Sequence, residues 1–192
     1  VRTPVLTLLT LFASAAPSAA HDAFGDLGPF YQAALHPLAD PAQGLFLVAA
    51  SLLLARQPLG TVRLVYLALI SAGFATIALD AVLTLPDPGL RAMALAAFAL
   101  AATAILNLRP SPAAAIAAAV TLGALAALPL DSGSGGRAAF LGLVGGAVGI
   151  AIATLWVWGA GEWADRRISP LATTVAAAWV AAIALMAVAM PA

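Results

Sequence analysis

Apolar residues run through this chain in long unbroken blocks, and polar residues gather in the short gaps between them. Six blocks stand out: Ala42 to Ala55, Val62 to Leu85, Leu90 to Leu108, Ala113 to Leu128, Ala138 to Gly159 and Leu171 to Met190. Blocks of this kind, punctuated by Pro, Gly and Arg, predict membrane-spanning helices, since roughly 20 apolar residues cross the hydrocarbon layer. The first block is short, so Phe30 to Leu38 is expected to complete it as a broken or re-entrant piece around Pro37 and Pro41. Such a break frees backbone carbonyls, which only protein or a watered cavity can satisfy at membrane depth. The expected fold class is all-α, a polytopic transmembrane helix bundle of about six spans.

Composition gives the same answer by a separate route. Hydrophobic residues fill 64% of the 192 positions and charged residues 8%, a balance unlike that of soluble domains. The partner this implies is the lipid bilayer. All 8 basic residues are arginine, the formal net charge is zero, and no basic run exists to neutralise a phosphate backbone, so nucleic acid is not an expected partner. The absence of cysteine excludes disulfides, thiolate metal sites and thioether-linked haem, leaving nitrogen and oxygen as the only metal donors.

Residues 1–20 have the form of a cleaved signal peptide: Arg2 as a minimal basic region, Val5 to Ala13 as a short apolar core, then small residues from Ser14 to Ala20. Ser18 and Ala20 fit the small-x-small cleavage pattern, which makes His21 the mature N-terminus and residues 21–192 a single six-span domain with short loops. Export of that terminus puts Arg56, Arg63, Arg109, Arg166 and Arg167 on the cytoplasmic side and only Arg91 and Arg137 outside, as the positive-inside rule requires. Asp22, Asp26, Asp40, Asp87 and Asp131 then fall outside, with Glu162 and Asp165 within. The expected location is the bacterial inner (cytoplasmic) membrane, with the mature N-terminus and the C-terminus outside.

Chemistry-bearing residues are few. His36, one of only 2 histidines, stands at the helix break, with Asp40 and Gln43 within about one helical turn, so that one nitrogen and two oxygens are offered to a metal. Asp80 lies within a span, where an ionisable group must find a partner or water; meeting His36 near the outer surface would make a cation or proton point. Gly142, Gly145, Gly146 and Gly149 make two overlapping small-xxx-small frames in the fifth span, a face for close helix approach within the chain or to another membrane subunit. Trp156, Trp158 and Trp163 mark an interfacial anchor. Thr76, Thr103, Thr121 and Thr154 are expected to bond their own helix carbonyls. Ser132 to Gly136 lacks the lysine and strand-to-helix context of a phosphate loop, and no nucleophile accompanies the histidines, so no enzyme activity is expected.

The Leu-His-Pro-Leu run of Leu35 to Leu38, heading an apolar six-span sequence after an exported His21, resembles the HupE/UreJ family of hydrogenase and urease accessory membrane proteins. That resemblance implies nickel, or nickel and cobalt, permeation. The family motif continues with Gly, any residue, Asp and His; here the corresponding residues are Asp40, Pro41, Ala42 and Gln43, and no histidine follows His36. The ligand set that the resemblance implies is therefore degenerate. A second metal reading pairs the free amine and ring of His21 with His36 in a three-nitrogen copper site. Two functions stay open: a structural or accessory subunit packing within a larger membrane complex, and a nickel, cobalt or copper permease or metal-handling protein built on His36, Asp40, Gln43 and His21.

Overall fold

The computed structural model describes residues 27–83, 85–86, 88–108, 110–128 and 136–190. Among these residues it is all helical: α1 (Gly28–Ala39), α2 (Pro41–Leu54), α3 (Leu59–Leu83), α4 (Gly89–Ile105), α5 (Pro112–Ala127), α6 (Gly136–Arg167) and α7 (Ala172–Ala189). The expected signal peptide and His21 lie outside the described residues.

The expected break in the first span is present, as a 73° bend between α1 and α2. It falls at Asp40 and not at Pro37, which α1 runs through. Pro41 disfavours helical backbone in the residue before it, and Asp40 is extended at φ −88° and ψ 110°. The Asp40 carboxylate then starts α2 by accepting from the Ala42 and Gln43 amides at 2.8 and 3.4 Å. Proline also opens α5, where Pro112 occupies the first turn and the Ser111 hydroxyl accepts from the Ala114 amide.

Helices α3, α6 and α7 are long and apolar enough to cross a membrane, and the bent α1–α2 pair makes a fourth candidate. Helices α4 and α5, with 17 and 16 residues, are shorter than a full crossing. At about 1.5 Å per residue they reach roughly 26 and 24 Å.

Helix α2 is the central element. It packs on α1, α4, α6 and α7 and touches α5, and 9 of its 14 residues are buried. A helix apolar all round belongs in such a position. Around it, α1 lies on α6, α3 on α5 and α6, and α4 on α7. The buried surface is rich in alanine: Ala49, Ala94, Ala97, Ala101, Ala119, Ala126, Ala177 and Ala184 have no exposed surface. Small side chains let helices approach where lipid supplies no hydrophobic drive toward association. Leu64, Leu67, Trp179 and Ile183 instead face outward, the arrangement expected of a lipid-facing surface.

The bundle has two chemically distinct ends. At one, Gly161 lies against Thr173, Ala55 and Leu52, and the Arg56 guanidinium donates to the Thr174 hydroxyl. Arg63, in the second turn of α3, and Arg166 and Arg167, in the last turn of α6, belong to this end. At the other, Arg91 donates to the Met190 carbonyl at 3.0 Å.

Candidate functional site

The break brings His36, Asp40 and Gln43 together, as their spacing suggested. His36 is in the last turn of α1 and Gln43 in the first turn of α2. His36 Nδ1 is 2.8 Å from Gln43 Oε1, and Gln43 Nε2 donates to the Ala126 carbonyl at 2.5 Å. That carbonyl can only accept, so the amide presents its NH₂ to α5 and its oxygen to His36. The imidazole must therefore carry its proton on Nδ1, and in the neutral ring the lone pair lies on Nε2. Gln43 itself has no exposed surface.

The Gln43 and Asp40 side chains each serve a backbone terminus. Ala126 lies in the last turn of α5, where helix carbonyls run out of intrahelical amides, and the Gln43 side chain donates to its carbonyl. Asp40 caps α2, and its own amide donates to the His36 carbonyl at 2.8 Å. Among the described residues, no group of three or more His, Asp and Glu side chains converges as a metal site. A site that needs His21 involves a residue outside that set.

Asp80 sits half-buried near the end of α3, where its Oδ1 accepts from the Leu85 amide at 2.6 Å. It closes the turn that follows its own helix. An acid serving a helix end needs no ion path to explain it.

The glycine face is occupied from within the chain. Gly142, Gly145, Gly146 and Gly149 are all buried. A Cβ on Gly145 would stand 2.1 Å from the Phe30 carbonyl oxygen, and one on Gly149 would stand 2.3 Å from that of Ala34. The same four-residue step on both helices means that α1 runs parallel to α6 with its backbone laid against the glycines. An approach this close is possible only without side chains at those positions. A partner subunit docking on α6 would have to use another of its faces.

Several contacts gave little sign of themselves in the sequence. Tyr66 donates from its hydroxyl to the Ala151 carbonyl at 2.9 Å, joining α3 to the middle of α6. Gly123 admits the Leu69 backbone, which would lie 2.0 Å from an added Cβ. Asp165 receives the Thr173 amide and hydroxyl at 2.9 and 2.6 Å, fixing the start of α7. A lone tyrosine in an apolar helix and an acid shortly before a Ser-Pro turn were the only available signals.

Thr103 and Thr121 bond back to Leu100 and Ala117, as expected. Thr154 does not: its hydroxyl is buried without a hydrogen-bond partner among the described residues. The back-bond expected of it is therefore corrected: Thr154 sits within α6 with its hydroxyl unbonded among the described residues. Trp156 and Trp163 are 75% and 59% exposed, whereas Trp158 packs on the core.

Comparison of the chain with protein-family models, with curated proteins and with solved structures finds no match.

Proposed function

We propose that this chain is an integral protein of the bacterial inner membrane, and that it serves as a structural or accessory subunit within a larger membrane assembly. The proposed ancestry is of the HupE/UreJ type, with a decayed metal site. One observation carries the reading: the fully buried Gln43 amide is engaged at both ends, by His36 and by the Ala126 carbonyl. Where a permease of that type would present ligands to a passing ion, this chain uses the same positions to hold three helices together.

The proposed placement has six crossings with both termini outside. The bent α1–α2 pair counts as one and each later helix as another. Helices α4 and α5 fall roughly 4 to 6 Å short of a hydrocarbon layer of about 30 Å. Local thinning meets that shortfall at a fraction of a kcal/mol per Å. Leaving either helix in water would expose a whole apolar surface instead.

A metal-handling reading is the alternative: His36 with Asp40, Gln43 and His21 would offer nitrogen and oxygen donors of the kind that bind nickel or copper. Purification from native membranes in a mild detergent, with subunit composition and metal content measured on the same sample, separates the two. Stoichiometric partner subunits without metal support the accessory role. An isolated chain that retains nickel or copper and moves it across vesicles refutes it.

A further inference from the structure

Helices α2 and α3 are neighbours in sequence, yet each packs chiefly elsewhere: α2 on α4 and α6, α3 on α5 and α6. A narrow, shallow groove, open along one side, lies between α2 on one side and α3 with α5 on the other. Its walls include Leu53, Val65, Leu69, Ala119 and Leu122, and Gln57 stands at one end. Alanines on α2 and α5 leave the gap, because a methyl group cannot reach across where a leucine would.

Gln57 is the exception in this apolar lining. Its Nε2 is buried and makes no hydrogen bond among the described residues. A buried donor without an acceptor is costly, and a natural structure rarely tolerates one unless something absent from the chain itself completes it. Water is a poor candidate, since an ordered molecule needs two to four polar partners and these walls offer one. A slender apolar molecule with an oxygen at its end fits both facts.

We propose that the groove holds one acyl chain of a glycerophospholipid, with an ester or phosphate oxygen accepting from Gln57 Nε2. Gln57 comes just after the end of α2, at the arginine-rich end of the bundle, and in the bilayer placement proposed above this is the level of the lipid esters. From there the acyl chain lies along the open rim, past Leu53 and Ala118 toward Leu122, deeper into the hydrocarbon. Charge selects the headgroup. Arg56, Arg63, Arg166 and Arg167 share this end, and among the described residues only Arg166 is in an ion pair, with Glu162. Four arginines against Glu162 and Asp165 leave an excess of positive charge beside the membrane surface, which favours an anionic lipid. The inference rests on the bilayer placement and is independent of the accessory role.

The test uses the full chain, purified in a mild detergent, stripped of lipid and titrated with phosphatidylglycerol. Bound lipid is counted by native mass spectrometry, and melting temperature is recorded in lipid-free detergent. The wild type is expected to hold one lipid tightly. Gln57→Leu is expected to weaken it about tenfold, the effect of losing one well-placed hydrogen bond. Ala118→Phe, made at an exposed groove-lining position, is expected to abolish binding without lowering the lipid-free melting temperature. Equal lipid counts in all three proteins overturn the inference. So does a dimer that Ala118→Phe disrupts, because a second copy is then the occupant. Release of the chain from membranes by alkaline carbonate overturns both the lipid site and the bilayer placement, whereas a firmly embedded chain without a bound lipid overturns the site alone.

Discussion

Gln43→Leu keeps the side-chain volume nearly constant while deleting both ends of the amide bridge. Two contacts disappear, the 2.8 Å bond from His36 Nδ1 and the 2.5 Å bond to the Ala126 carbonyl. Interhelical hydrogen bonds measured inside membranes average about 0.6 kcal/mol and reach about 1.7 kcal/mol, because an unfolded chain in the membrane also finds partners. A buried polar group left orphaned costs about 1–3 kcal/mol. Ala126 is fully buried in the last turn of α5, so its share belongs in the second range. Leucine regains little, since lipid tails solvate an apolar side chain as well as the bundle does. The expected loss is about 2–3 kcal/mol in reversible unfolding by mixed micelles, followed by tryptophan fluorescence. Gln43→Glu should be worse, setting a carboxylate against the Ala126 carbonyl at a position with no exposed surface. On the Gln43→Leu background, His36→Ala should cost less than it does in the wild type, because its bond to residue 43 is already gone. A Gln43→Leu protein within about 0.5 kcal/mol of wild type, with the glutamate no worse, would refute a structural role for the amide bridge at the broken helix.

Gly145→Ala and Gly149→Ala each put a methyl within 2.3 Å of a backbone oxygen of α1, which cannot rotate away; a loss of about 1–3 kcal/mol is expected in the same unfolding assay. Gly159→Ala on the same helix meets nothing within 4 Å and should be neutral or slightly stabilising, by up to about 1 kcal/mol. Asp165→Ala removes both bonds to Thr173 and should cost about 0.5–2 kcal/mol, with faster amide hydrogen exchange confined to the first turn of α7. Asp80→Asn keeps an oxygen for the Leu85 amide and should stay within about 0.5 kcal/mol of wild type, whereas Asp80→Ala should lose about 1 kcal/mol; a large effect of the asparagine would show that the charge itself matters.

The range of the forces involved decides which features were legible in the sequence and which were hidden. The break at Asp40 was legible because Pro41 acts on its immediate neighbour, and an aspartate at that position can cap only the helix on its C-terminal side. The helices were legible as blocks of apolar residues, though their ends were not: α6 runs to Arg167, well past Gly159, because nothing between them stops a helix. The glycine frames announced a close contact without naming its partner, since small-xxx-small spacing describes one helix face and α1 lies more than 100 residues away in the chain. Gln43 was singled out for its oxygen, but its use depends on Ala126, 83 residues on. No local pattern encodes such a pairing. Thr154 shows the converse, a residue whose local options were clear and were not taken.

In a bilayer, apolar surface gains little by leaving lipid for protein, so the bundle needs other means of cohesion. Two are visible. Backbones approach at Gly145, Gly149 and Gly123, and the scarce polar side chains serve helix ends: Asp40 for α2, Gln43 for α5, Asp80 after α3, Asp165 for α7 and Arg91 at the end of α7. This division bears on function. An ion path requires donors and acceptors that are not already engaged in holding backbone termini, and at the broken helix the Asp40 and Gln43 side chains are so engaged. Among the described residues the buried polar atoms without partners are Arg56 Nε, Gln57 Nε2 and Thr154 Oγ1. None is a carboxylate or an imidazole. Two are nitrogen donors on adjacent residues at the arginine-rich end, which suits them to an oxygen-bearing lipid and unsuits them to a metal cation. The buried polar capacity left over among the described residues thus points toward Gln57 and the groove beside α2.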